Sequence, residues 1–191
     1  DGEQVEDFVN WLTNDTPTGL VTSQWRPTVL RYGEVLWRGS YGRLRIIVDD
    51  EAPYVPRFLE ATEPASKARK SLFPNSQKEL TLATAWRLLD DGQTVLIFCP
   101  QKNSVTSLAA EVVKLHRQGA IGSAYEGDPQ ELSRALAIGR EWFDERHPVL
   151  ECLRLGVAVH HGSLPGAYRK EVERLLRSGV LRVTISSPTL A

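Results

Sequence analysis

Residues 94–99 have the sequence Thr94-Val95-Leu96-Ile97-Phe98-Cys99, an apolar run that is rich in β-forming side chains. Its length and its lack of polar alternation predict a strand that is buried on both faces, as in a parallel sheet. Residues 157–159 and residues 181–185 are further strand candidates. Each of these runs is followed by a polar loop, so the sequence predicts three strands that each end in a polar connection.

Helical patterns alternate with these runs. Ser76 and Glu79 form a capping box ahead of an apolar stripe that ends at Gly92. Three more helices are predicted, one with an apolar side at Val105, Leu108, Ala109 and Val112, one beginning at Asp128-Pro129, and one over residues 165–178. Because strands and helices alternate, the sequence predicts right-handed crossovers and an α/β fold whose parallel sheet carries helices on both faces.

The residue pattern divides the chain into two parts and a linker. In residues 1–62, Val5, Phe8, Val9 and Leu12 share one face of a short helix. Two β-type segments then flank the glycine-containing turn at residues 39–42, which predicts a hairpin. Residues 63–75 are polar, charged and proline-bearing, as a linker is. Residues 76–191 carry the alternating α/β pattern and form the second predicted domain.

Composition limits the classes of protein to which the chain can belong. The 191 residues have a formal net charge of -1, so any contact with nucleic acid must be local rather than driven by a global field. Cys99 and Cys152 lie far apart, which argues against a disulfide framework or a zinc knuckle. No apolar run is long enough to span a membrane, so we expect a cytoplasmic protein without a membrane partner. Since the chain has no methionine and opens on Asp1, we expect an internal fragment.

The loops beyond the carboxyl ends of the strands are the expected binding region, because ligands of parallel α/β sheets bind there. Backbone N–H groups at helix starts, together with hydroxyl, amide and basic side chains, hold phosphate groups. The candidate nucleic-acid-binding residues are Gln101, Lys102, Ser104, His161, Gly162, Ser187 and Thr189. Contacts of this kind hold the backbone, so binding is expected to be largely independent of base sequence.

The same three loops, in the same order, resemble motifs of superfamily 2 helicases. Residues 95–102, Val-Leu-Ile-Phe-Cys-Pro-Gln-Lys, resemble motif IV, and residues 183–191 resemble the opening of motif V. Residues 156–164, Gly-Val-Ala-Val-His-His-Gly-Ser-Leu, resemble the histidine-pair segment of the superkiller-type and long helicase-related DExH branches. The resemblance continues downstream at Arg169, Val172, Glu173 and Gly179. Trp25-Arg26-Pro27 resembles the segment that follows motif III.

This resemblance implies a piece of a helicase that runs from the end of a first RecA-like lobe, through an inter-lobe β-hairpin segment, into a truncated second RecA-like lobe. The complete protein would bind ATP and Mg²⁺ between its lobes and act on single-stranded or partly duplex DNA or RNA, with the remainder of the same polypeptide as partner. The sequence has no Gly-x-x-x-x-Gly-Lys-Ser/Thr phosphate loop and no Gln-x-x-Gly-Arg segment. We therefore expect no catalytic residue, no bound nucleotide and no ATPase activity in this chain alone.

Two other functions stay open at this stage. The chain could be a non-catalytic α/β module that binds nucleic acid or protein, or a metal-dependent hydrolase built around His160 and His161. Adjacent strand residues point to opposite faces, and no Cys, Asp or Glu stands nearby at a ligand spacing, so no metal site is predicted. His160 is interpreted as a packed structural histidine and His161 as the more exposed of the two. Lys102 can equally be an ordinary solvated lysine, and Cys99 is interpreted as a small buried hydrophobe.

Overall fold

The computed structural model describes residues 31–47, 53–65 and 69–188. Gly33 and the described residues that follow it form one compact unit. Several predicted features lie outside the described residues: the helix that contains Val5 and Leu12, the segment Trp25-Arg26-Pro27, and Thr189.

A small sheet opens the described part of the chain. Its strands are β1 (Tyr32–Trp37), β2 (Tyr41–Ile47) and β3 (Tyr54–Glu60), in the order β1-β2-β3. The predicted hairpin is confirmed, and Gly39 in its turn has a φ of 85°, which glycine adopts without steric cost. The sequence does not predict β3, because Pro56 and Arg57 interrupt any β-type pattern there. Antiparallel pairing with β2 makes the strand.

The rest of the chain alternates helices with strands. The elements are α1 (Gln77–Asp90), β4 (Val95–Phe98), α2 (Lys102–Arg117), α3 (Gln130–Arg140), α4 (Pro148–Arg154), β5 (Val157–His160), α5 (Gly166–Arg177) and β6 (Val183–Ser186). The strands β4, β5 and β6 are parallel and lie in the order β4-β6-β5. The architecture is the predicted α/β fold, a RecA-like parallel sheet flanked by helices. The sequence does not predict α4, whose seven residues are too few to show a helical period.

Side-chain caps fix the starts of two helices as predicted. The hydroxyl of Ser76 accepts from the Glu79 N–H at 3.3 Å at the start of α1. The Glu79 carboxylate does not complete the capping box with Ser76; it accepts from the Asn75 N–H at 2.8 Å and pairs with Arg69. At the start of α3, the Asp128 carboxylate accepts from the Gln130 N–H at 2.9 Å. Local sequence signals therefore place both helix starts.

The core lies between the parallel sheet and its helices. Every residue of β5 and β6 is buried. α2 packs against both of these strands, and α1 packs against β4. The prediction that residues 94–99 are buried on both faces is wrong for alternate positions, since Leu96 is 57% exposed and Phe98 is 61% exposed. Successive side chains of a strand point to opposite faces of the sheet, so one face of β4 is covered and the other is open in the described part of the chain.

Within the described ranges, none of the helices combines the length and the apolar content that crossing a bilayer requires.

Candidate nucleic-acid interface

The loops that follow β4, β5 and β6 begin side by side. Phe98 and His160, the last residues of their strands, both pair with Ser186, the last residue of the central strand β6. Two backbone hydrogen bonds continue this alignment into the loops, from Cys99 N–H to the Ser186 carbonyl at 2.7 Å and from Ser187 N–H to the His160 carbonyl at 3.2 Å. We call residues 99–104, 161–165 and 187 the carboxyl-end loops; the first of these segments includes the opening residues of α2. Their shared level follows from parallel pairing, which places strand ends of equal polarity at one edge.

The sequence-predicted site residues divide into an exposed group and a buried group. Gln101, Lys102, Ser104 and Gly162 are exposed, whereas His161 and Ser187 are each 6% exposed. Thr189 lies outside the described residues. The expectation that His161 is the more exposed histidine is confirmed only as a small difference, because His160 is 1% exposed and both are buried.

Two helices begin at the carboxyl-end loops, and both lack a side-chain cap. Neither Gln101 before α2 nor Pro165 before α5 accepts a hydrogen bond through its side chain, and neither helix has an acidic residue in its first turn. The other described helices differ, because α1, α3 and α4 each carry an acidic residue there. The first-turn N–H groups of α2 and α5 thus keep an uncompensated partial positive charge, which favours an anion.

His160 is held by a glutamate from the helix that follows it. Its Nε2 lies 3.0 Å from Glu173 Oε1, and the hydrogen bond from His160 holds the pKa of Glu173 below its ordinary value. An ionised carboxylate only accepts, so Nε2 of His160 carries the hydrogen and donates it. The His160 carbonyl in turn accepts from Ser187. A contact from α5 therefore fixes the residue that joins the loops after β5 and β6.

His161 lies in a positive environment. Burial lowers the pKa of its imidazole first, and the charges of Lys102, His160 and Arg169 lower it further. Lys102 stands at the start of α2 and Arg169 in the first turns of α5, and the positive charges of both act on this imidazole. The prediction that Lys102, His161 and Thr189 line a single groove stays a prediction, because Thr189 lies outside the described residues.

Arg169 and Glu173 were absent from the site predicted by loop chemistry. Both belong to α5, whose alternating acidic and basic residues are also typical of a solvated helix face. Their only signal in the sequence is the resemblance of this segment to the helicase histidine-pair motif. The His160–Glu173 contact joins residues 13 positions apart across a turn, which no local periodicity reveals.

The described residues do not favour a nucleophilic or metal site at the carboxyl-end loops. Both cysteines are free and buried, and burial raises the pKa of Cys99 and raises that of Cys152 to about 12. A thiol with a raised pKa is a poor nucleophile at neutral pH. Among the described residues, no three His, Cys, Asp or Glu side chains gather in a way that could hold a metal ion. A hydrolase built around His160 and His161 is therefore not favoured.

Comparison with known proteins places the chain beside DNA helicases. No family model matches it. The chain is 29% identical to the Hachiman protein HamB of Bacillus cereus, over 97% of its own length and 17% of that protein. It is 28% identical to the ATP-dependent DNA helicase Hel308 of Methanococcus vannielii, over 97% of its length and 22% of the helicase. The Hel308 helicase of Caldivirga maquilingensis is also 28% identical, over 97% of this chain and 21% of the helicase.

The chain thus spans about a fifth of the length of these curated relatives. Similarity along nearly the whole chain supports a segment related to superfamily 2 helicases, as its motifs predict. The narrower assignment to a superkiller-type or long helicase-related branch remains a prediction.

Proposed function

We propose that this chain is part of an ATP-dependent helicase or translocase and supplies nucleic-acid backbone contacts from its second RecA-like lobe. The observation that carries the proposal is the alignment of the carboxyl-end loops at one edge of the sheet, beside two uncapped helix starts. The similarity to DNA helicases supports it, and makes DNA the polynucleotide to test first. In this proposal, residues 1–62 end the first lobe and carry the inter-lobe hairpin, residues 63–75 are the linker, and residues 76–191 begin the second lobe.

The proposed contacts are to phosphates. Gln101, Lys102 and Ser104 offer an amide, an ammonium and a hydroxyl at the start of α2, where the free N–H groups also point. Gly162 leaves the backbone accessible in the second loop. In this proposal Ser187 and Thr189, which follow β6 in the sequence, supply hydroxyls. Groups of these types satisfy phosphate oxygens and carry no information about the base. Binding by this chain should therefore be insensitive to base sequence.

ATP and Mg²⁺ belong to the proposal for the complete protein only. The sequence lacks the glycine-rich loop whose N–H groups and lysine cradle nucleotide phosphates. Among the described residues, no three His, Cys, Asp or Glu side chains gather into a cluster that could hold Mg²⁺. The residues that the structure describes do not fit a nucleotide–magnesium site, so the proposal assigns hydrolysis to other parts of the polypeptide.

The test is the binding of single-stranded DNA by the chain with Lys102→Ala, compared with Lys114→Ala. Both lysines are exposed residues of α2, but Lys114 lies in its last turn, away from the carboxyl-end loops. Fluorescence anisotropy over a range of salt concentrations measures the affinity and its salt dependence. Loss of one phosphate contact should weaken binding to all sequences alike and reduce the slope of log K against log salt by about 0.7.

Lys114→Ala should bind like the wild type, and Thr189→Ala should weaken binding without changing the slope, because a hydroxyl displaces no counterion. The proposal is contradicted if the wild-type chain does not bind, or if Lys102→Ala and Lys114→Ala behave identically.

A further inference from the structure

His161 is a buried histidine with an unsatisfied ring nitrogen at the carboxyl-end loops. The residue is 6% exposed, and its Nδ1 is buried without a hydrogen-bond partner among the described residues. The Nε of Arg169 is also buried and has no partner in that part of the chain. Buried polar groups are normally paired, so unpaired nitrogens on His160, His161 and Arg169 are unusual. The Nε–H of Arg169 can only donate, so it lacks an acceptor in the described part of the chain.

The charged groups around His161 are dominated by cations. α2 contributes Lys102 and α5 contributes Arg169, and the imidazole of His160 precedes His161 at the end of β5. The carboxylate on this side of α5, Glu173, is already hydrogen-bonded to His160 at 3.0 Å. At the end of β6, Ser187 donates its backbone N–H to the His160 carbonyl, and neither Ser186 nor Ser187 titrates. Together with burial, this surrounding charge lowers the pKa of His161, and the imidazole is neutral in the free protein at neutral pH.

We propose that His161 takes up a proton from solvent when a phosphodiester of single-stranded DNA binds beside Lys102 and Arg169, so that this chain binds DNA more tightly at lower pH. The proposal rests on the proposed function. A phosphodiester carries one negative charge and several acceptor oxygens, so it cancels the cationic field and offers His161 a partner. The bound phosphate therefore favours imidazolium, in which both ring nitrogens are donors.

The direction of the pH dependence follows from linkage. The pKa of His161 is higher in the complex than in the free chain, so the added affinity is fully present below the free-state value. It is lost as pH rises through the bound-state value. Between these two values, one proton is taken up for each DNA bound, and the dissociation constant should rise by up to about tenfold per pH unit.

The experiment measures binding of the 191-residue chain to fluorescent oligothymidylate, whose bases do not titrate in the range used, from about pH 5.5 to pH 8.5 at constant ionic strength. Wild type is compared with His161→Gln, a neutral side chain of similar polarity that cannot gain a proton. The matched control is His116→Gln, since His116 is an exposed histidine in the last turn of α2. Calorimetry in two buffers with different heats of ionisation counts the protons taken up.

We expect the wild type and His116→Gln to take up a proton over part of this range, and His161→Gln to bind with an affinity that pH barely changes. A second measurement needs no variant: the ring carbon-bound proton resonances of His161, followed by NMR through the same pH range, should titrate at higher pH with oligothymidylate than without. An unshifted titration, or equal proton uptake by His161→Gln, overturns the proton linkage while leaving DNA binding intact. Failure of the wild type to bind at any pH overturns the proposed function and the linkage with it.

Discussion

Replacement of Glu173 by alanine tests how firmly α5 holds the histidine pair. In the wild type, Glu173 Oε1 accepts from His160 Nε2 at 3.0 Å. Alanine removes this acceptor and leaves Nε2 inside a residue that is 1% exposed, where Nδ1 already has no partner among the described residues. A buried donor without a partner costs about 1–3 kcal/mol. Because the Glu173 side chain is 38% exposed, water can enter the vacated space, and we expect the lower half of that range, about 1–2 kcal/mol.

Two further variants separate this hydrogen bond from surface charge. Glu173→Gln keeps a side-chain oxygen that can accept from Nε2 but loses the charge, so it should cost less than the alanine variant, about 0.5–1 kcal/mol. Arg177→Ala removes the other partner of Glu173, a guanidinium 3.7 Å away whose side chain is 77% exposed. An exposed ion pair of this length contributes about 0–1 kcal/mol, so this variant should stay close to the wild type.

Urea denaturation of the three variants, followed by far-UV circular dichroism, gives the free energies of unfolding. The His160 hydrogen bond holds the pKa of Glu173 below its ordinary value, so the stabilisation is present above the ordinary carboxyl range and is lost as pH falls through the folded-state pKa. The measurements therefore belong at neutral pH. The reasoning is refuted if Glu173→Ala is as stable as the wild type, or if Arg177→Ala destabilises the chain equally.

Three further predictions concern the remaining parts of the chain. Arg69 and Glu79 form a two-fold ion pair with distances of 2.6 and 2.7 Å, and their side chains are 6% and 5% exposed. Glu79→Ala leaves the buried arginine charge unpaired, so it should lower the free energy of unfolding, measured by urea denaturation, by about 3–5 kcal/mol. A loss below about 1 kcal/mol would show that water compensates the arginine. Burial opposes ionisation of Glu79, but hydrogen bonds from Arg69 and Asn75 lower its pKa, so this stabilisation should disappear as pH falls below the ordinary carboxyl range. Leu96 and Phe98 expose apolar surface on an edge strand. The wild-type chain should therefore self-associate in sedimentation velocity, and replacing both residues by lysine should reduce the self-association. A wild-type chain that stays monomeric at high concentration would count against this prediction. The chain should release no phosphate from ATP with or without single-stranded DNA, because its sequence lacks the phosphate loop, and DNA-stimulated turnover would overturn that expectation.

The local elements of this protein were predictable because their signals are short in range. Ser76 and Asp128 cap the helices that the sequence assigns to them, since a cap and its N–H partner lie within three residues. The apolar runs of the parallel strands are equally local, and they lead to the carboxyl-end loops because parallel strands end at one edge. β3 escaped prediction, since pairing with β2 rather than its own pattern makes it a strand.

Tertiary structure alone decided which residues of that edge interact. Strand order β4-β6-β5 sets the loop of the last strand between the other two, and no feature of the separate strands specifies that order. The contact of His160 with Glu173 joins β5 to α5, and the charge of Lys102 acts on His161 from another element. Burial has the same origin: the pattern assigned both faces of β4 to the core, and it did not show that His160 and His161 are both buried. Exposure depends on which elements pack around a residue, and that packing arises only when distant segments meet.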